Sequence, residues 1–331
     1  MIIESFRTNK PQVYIRLVVY ALFLHLLFIY NPDWVPPYQN TMIGREVANM
    51  VNQAHLPIAL LQLLDVSLLI AQALLLNYTL IRHNIFPRTT YLPAFFYISY
   101  MSMFGEWAAA DLQTIGELFI VLSFFNLAEL TAVQRTRQSV FFTSLFLSIG
   151  TLFYFPTAYF IIVLAIGLLI NTFALADIIL LICGLVLPYY FTGIYYFYQD
   201  QLPQYLESLY RLFVYQDLRR FDLDLYQIIG ISYMLLLSLL GFLILRSDRE
   251  FKIVQQRYLG GLMFLYLVIL MVASPIASGS KLGFAQLACL PCALFTAKLF
   301  ESQLPGWLKD CLYAILLLGI LFMQLYYFKR I

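Results

Sequence analysis

Residues 57–78 read PIALLQLLDVSLLIAQALLLNY, with Asp65 the one charged residue in the run. At 1.5 Å rise per residue, about 20 apolar residues cross the roughly 30 Å hydrocarbon layer of a bilayer. The run is long enough to do so and too apolar for the surface of a soluble domain. The rest of the chain repeats the pattern. Of 331 residues, 62% are hydrophobic and only 11% are charged, against about 25% charge in ordinary soluble domains. A soluble enzyme, a secreted disulfide scaffold and a disordered chain are excluded on those grounds. The apolar blocks are also too long and unbroken for the alternating strands of a membrane β-barrel. Only helices then satisfy the backbone inside lipid. The expected fold is all-α, a polytopic transmembrane helical bundle forming a single integral-membrane domain over 1–331, with no soluble domain.

Working outward from 57–78, about eleven spans are expected. They cover 13–30, 57–78, 91–107, 114–132, 139–153, 157–171, 175–198, 225–245, 258–272, 283–298 and 310–327. As one helix, 139–171 would be roughly 50 Å long, so Gly150 and Pro156 are expected to break it into two short helices. If it is one span the count becomes ten. Two stretches, 31–56 and 199–224, are too short for a core of their own. Both read as outer loops carrying an interfacial amphipathic helix. Met42, Val47, Met50 and Val51 mark the first helix. Leu202, Tyr205, Leu206, Leu209, Tyr210, Leu212 and Phe213 mark the second. With the N-terminus on the cytoplasmic side, most of the 20 basic residues fall on inner segments and most acids on outer ones, as the positive-inside rule requires.

The near balance of 20 basic and 18 acidic residues argues against a nucleic-acid partner, which needs a dense basic face. Cys183, Cys289, Cys292 and Cys311 all lie in apolar stretches. The Cys289-Leu-Pro-Cys292 pair therefore reads as packing rather than redox chemistry. No P-loop, nucleophile elbow or zinc-protease motif is present.

Ionisable residues inside spans are costly and are the first site candidates. Asp65 has Gln62 and Gln72 near its face. Glu129 has Asn126 at i−3 and is expected to reach toward Arg135 at the inner surface. Asp177 reads as an acid in the first turn of its helix. At the outer turn between the third and fourth spans, Glu106, Asp111 and Glu117 would suit a divalent metal such as magnesium or manganese. They would equally suit general-base chemistry, a cationic ligand or plain solvation. Asp33 directly follows the first span at the outer surface and is placed to accept a proton from a hydroxyl.

The block 118–198 carries a further pattern. An apolar span is followed by Gln134-Arg135-Thr136-Arg137, then Ser148-Ile-Gly-Thr-Leu-Phe-Tyr-Phe-Pro156-Thr. A later span ends in Leu187-Pro188-Tyr-Tyr, with Phe197-Tyr198-Gln199-Asp200 beyond. This resembles the middle of the integral-membrane C-type (GT-C fold) glycosyltransferases. The resemblance implies a polyprenyl-phosphate sugar as donor and a catalytic acid in the first outer loop, here Asp33 or, second, Glu46. Arg211, Arg219 and Arg220 would then hold the donor phosphate, for which guanidinium is suited. Unlike many members, this loop has one acid next to the membrane, and no large C-terminal outer domain is expected.

Over its whole length the chain is also similar to an uncharacterised polytopic inner-membrane family of the Bacteroidota. The matching segments are Met1-Ile-Ile-Glu-Ser-Phe-Arg-Thr-Asn-Lys-Pro11, Leu187-Pro-Tyr-Tyr-Phe and Ala273-Ser-Pro275-Ile-Ala. That implies the bacterial inner membrane and the cell envelope. Three functional readings follow: a GT-C-like transferase of envelope glycan assembly, a non-enzymatic subunit that binds other membrane proteins, and a small-solute transporter.

Overall fold

A computed structural model describes residues 2–7, 12–30, 41–55, 57–86, 89–108, 111, 113–130, 137–170, 174–214, 223–247, 254–275, 281–302 and 304–330. Among these residues there are helices and no strand. The first half of the chain supplies α1 (Ile2–Ser5), α2 (Gln12–Leu24), α3 (Leu26–Tyr30), α4 (Met42–Gln53), α5 (Ile58–Arg82), α6 (Leu92–Met101), α7 (Gly105–Ala108), α8 (Gln113–Leu130) and α9 (Arg137–Phe153). A 3-10 turn at Phe155–Tyr159 leads to α10 (Phe160–Ile170) and α11 (Leu175–Tyr198). The rest is α12 (Leu202–Val214), α13 (Leu225–Ser247), α14 (Val254–Ala273), α15 (Lys281–Leu287), α16 (Cys289–Glu301) and α17 (Gly306–Arg330).

Five of these, α5, α8, α11, α13 and α17, are long and apolar enough to cross a membrane. The chain is thus a multi-pass helical membrane protein. Several of the other expected spans are short or interrupted. The first is broken at His25, whose ring nitrogen lies 3.0 Å from the Ala21 carbonyl. The third stops at Ser102 and resumes as α7, and the tenth is divided at Ala288. The expected break in 139–171 is present, with Pro156 in the 3-10 turn.

Two short helices form the centre. Every residue of α6 is buried, as is α16 from Cys289 to Phe300. They are joined by the Tyr100 and Thr296 hydroxyls at 2.7 Å and by the Phe96–Phe300 rings at 4.7 Å. α13 packs on α16 where Gly241 meets the Phe295 backbone. In the other half α9 lies between α8 and α11. Ser123 Oγ donates to Thr143 O, and Gly116 faces Gly150, so α8 and α9 run antiparallel. α5 bridges the halves by packing on both α6 and α8.

The carbonyls at the end of α16 are capped from outside it. Arg7 donates to Phe300 O and Lys309 to Ser302 O. Both bonds satisfy groups that every helix C-terminus leaves open. Near them the Tyr91 N–H bonds Phe6 O at 2.9 Å. At the opposite end of the bundle, Phe28 packs on Tyr327 and Phe328, and Gln62 Nε2 bonds Ala108 O at 2.6 Å.

Candidate functional site

The expected amphipathic helices α4 and α12 both form, and both border the same groove. Thr41 caps α4, its hydroxyl accepting the Gly44 N–H at 3.1 Å. Thr41, Met42 and Ile43 then line one wall. Tyr205, Ser208, Leu209 and Leu212 of α12 line the other, with Thr151, Leu152 and Tyr189 as the floor. The groove is narrow, with room for about one water molecule (about 10 Å³). Its exposed surface is mostly apolar, and the Thr151 and Tyr189 hydroxyls are linked at 2.7 Å. Tyr205 stacks on Tyr196 with ring centroids 4.8 Å apart and meets the Thr192 hydroxyl at 2.6 Å. Burial pushes the Tyr205 hydroxyl above its ordinary pKa. Glu46, on α4, directs its carboxylate toward the Tyr196 hydroxyl. Arg211 is exposed on α12 and paired with Glu207 at 2.6 Å. Asp33, Arg219 and Arg220 lie outside the described residues. They belong to the segments directly before α4 and directly after α12.

The three acids expected to share one outer mouth do not do so. Glu106 turns to α13, where Tyr226 and Gln227 donate to its Oε1 at 3.3 and 3.1 Å. Glu117 is buried at 3% exposure and receives the Gln113 amide at 3.2 Å. Asp111 stays near Asp65, to which it offers its backbone N–H, while the Thr114 hydroxyl is directed at the same carboxylate. Among the described residues no three His, Cys, Asp or Glu side chains converge as metal ligands would. Of the three acids, Glu106 faces another helix and Glu117 is folded inward.

Asp65 lies in the bundle interior, with Gln62 and Gln72 on its face as the spacing implied. Gln72 donates to Thr114 O at 2.7 Å and accepts from the Tyr97 hydroxyl at 2.8 Å. Gln113 also donates to Gln286 Oε1 at 2.9 Å. The sequence reading missed Glu117, Gln113 and Gln286 as members of this cluster. Its one available signal was Gln113 and Glu117 at i,i+4 in the first turns of an apolar helix.

Glu129 has a different described partner from the one expected. It pairs with Arg82 at 2.7 Å and approaches His83 Nε2 at 3.7 Å. Arg135 lies outside the described residues. Asp177 behaves as expected, its carboxylate accepting the Ala174 N–H at 3.0 Å at the start of α11. Cys289 and Cys292 are buried free thiols.

No family model, no curated protein and no solved structure matches the chain.

Proposed function

We propose that the chain is an inner-membrane protein of the bacterial cell envelope that transfers a sugar from a polyprenyl-phosphate lipid, in the manner of GT-C enzymes. It crosses the bilayer about eleven times, with a cytoplasmic N-terminus. The observation that carries the reading is the groove that α4 and α12 both border. The segment with Asp33 runs into the first wall of that groove. The segment with Arg219 and Arg220 leaves the second, one turn beyond Arg211. In sequence, the proposed base and guanidiniums are thus linked to the two helices that border the groove. The mostly apolar lining suits the prenyl part of such a lipid, and the lining hydroxyls are taken up within the protein. Asp33 accepts the proton of the acceptor hydroxyl as it attacks the anomeric carbon, and the lipid phosphate leaves toward the arginines.

The test is glycan transfer in membranes from cells carrying Asp33→Asn. Loss of a general base typically costs about 10²–10⁴ in rate, and a loss of that order is expected. Arg219→Ala and Arg220→Ala should weaken donor binding instead. Unchanged transfer in Asp33→Asn would move the base to Glu46. No transfer by the wild-type protein with any polyprenyl-phosphate sugar would favour a non-enzymatic subunit of an envelope complex.

A further inference from the structure

At the end of the bundle where α16 finishes, two cations meet without a described carboxylate to pair them. Lys309, in the first turn of α17, is 7% exposed, and its ammonium donates to Ser302 O. Arg7 donates to Phe300 O, and its Nε is enclosed with no hydrogen-bond partner. The two carbonyls are two residues apart at one helix end, so at most about 7 Å of chain separates them. The Arg7 charge acts on the Lys309 ammonium accordingly. Glu301 is the acid that acts on Lys309, but its Oε2 is taken by Lys298 at 3.3 Å. Among the described residues, the ion pairs join other side chains and none includes Arg7 or Lys309.

Arg7 is fixed in place by its neighbours. Phe6 is buried and stacks on Phe95 with ring centroids 4.5 Å apart, and its carbonyl accepts the Tyr91 N–H at 2.9 Å. Arg16, on α2, donates to Ser5 O at 3.4 Å from the exposed side. A lysine is almost never fully buried unless it is paired, because an ammonium out of water and without an anion is costly. The carbonyls at the end of α16 favour the two cations but do not neutralise them, and capping leaves most of their donors unused. What is missing is an anion that accepts several N–H groups at once. Phosphate does so, from a forked guanidinium and a point-like ammonium together. Its source follows from depth. Trp307, two residues before Lys309, is 72% exposed, and tryptophans at span ends lie at headgroup level. Basic pockets between helix ends are places where anionic lipid headgroups bind.

We propose that Arg7 and Lys309 bind the phosphate of an anionic phospholipid where the N-terminal segment meets the end of α16 and the start of α17. Lys309 supplies the buried charge and Arg7 the forked donors. The bound lipid neutralises Lys309 and ties α17 to the N-terminal segment, with no covalent bond made or broken. The site lies away from the groove and does not depend on glycosyl transfer.

Thermal unfolding of the full chain in nanodiscs reads the binding, because a ligand held by the folded state alone stabilises that state. Discs of phosphatidylcholine are compared, at constant ionic strength, with discs in which part of it is replaced by phosphatidylglycerol. The wild type should melt at a higher temperature with phosphatidylglycerol. Lys309→Met and Arg7→Gln should each lose most of that gain. In native mass spectrometry each should hold phosphatidylglycerol about fivefold less tightly, the share of one basic residue near a charged surface. Arg137→Gln, which removes an exposed charge at the start of α9, should keep the whole gain. Arg7→Gln, on a part-exposed side chain, is the check if Lys309→Met fails to fold. An equal loss in Arg137→Gln would make the effect one of net charge and overturn the site. An equal gain from inorganic phosphate in phosphatidylcholine discs, absent in Lys309→Met, would make the ligand a soluble anion and overturn the lipid assignment. No difference between the two lipids in the wild type overturns the proposal.

Discussion

The Arg82 guanidinium meets the Glu129 carboxylate at 2.7 Å and ties the last turn of α5 to the last turn of α8. Arg82 also donates to the Tyr78 hydroxyl at 3.0 Å, with its guanidinium 5.8 Å from the Phe125 ring. The Arg82 side chain is half exposed and that of Glu129 about a quarter. Water and salt screen such a pair strongly. Glu129→Gln should therefore lower the melting temperature of the reconstituted protein only slightly at low ionic strength. The difference from wild type should vanish in high salt. A large loss that persists in high salt would mean that the carboxylate holds more than this pair.

His83, next in the chain, is buried beside the same carboxylate. Burial holds its pKa below the ordinary histidine value, the Glu129 charge pulls it up, and Arg82 pushes it down. A histidine with a depressed folded pKa favours the neutral form in the native state. Its contribution is complete above the unfolded value of about 6.5 and is lost as pH falls through the folded value. The wild type should lose stability on acidification below about 6.5 more steeply than His83→Gln. Melting temperature against pH for both proteins checks this, and parallel curves would remove His83 from the account.

Close approach of α13 and α16 depends on Gly241. A methyl group there would lie within 2.5 Å of the Phe295 carbonyl carbon and would overlap its oxygen. Because the obstacle is backbone in a fully buried helix, it cannot rotate away. Gly241→Ala should cost at least the 1–3 kcal/mol (order of magnitude) typical of overpacked cores. Gly319→Ala, where nothing lies within 4 Å, should be neutral or slightly stabilising through helix propensity. Unfolding in a denaturant titration compares the two, and equal stabilities would contradict the packing described.

Features set by local sequence were legible and those set by distant contacts were not. The spacing of Met42, Val47, Met50 and Val51 located α4, and Pro156 located the break before α10, because each acts within a turn or two of itself. Asp177 could be placed for the same reason. Glu117 read as solvated because acids near a turn usually are. It is buried because Gly116 lets α9 close over the start of α8, a contact with residues more than thirty positions away. Glu129 has Arg135 as its basic neighbour in sequence, whereas its described partner, Arg82, is on α5. At the groove, the pattern showed two amphipathic helices in separate loops but held no sign that they meet.

The arrangement of ends gives the last prediction. α9 runs antiparallel to α8, from Gln138 at the Glu129 end to Thr151 in the floor of the groove. Its 17 residues span about 26 Å at 1.5 Å each, close to the hydrocarbon thickness of about 30 Å. Glu207 stands on α12 at the groove, exposed, and Gln138 is exposed at the opposite end. Cysteines at these two positions should therefore lie on opposite faces of the membrane. In a background with Cys183→Ser and Cys311→Ser, Glu207→Cys should react with a membrane-impermeant maleimide applied to spheroplasts. Gln138→Cys should react only after permeabilisation. The reverse pattern would invert the orientation and place the groove, with its transferase reading, in the cytoplasm. Reaction of both from outside would mean that α9 does not cross, and that the helices flanking the groove do not mark one face of the bilayer.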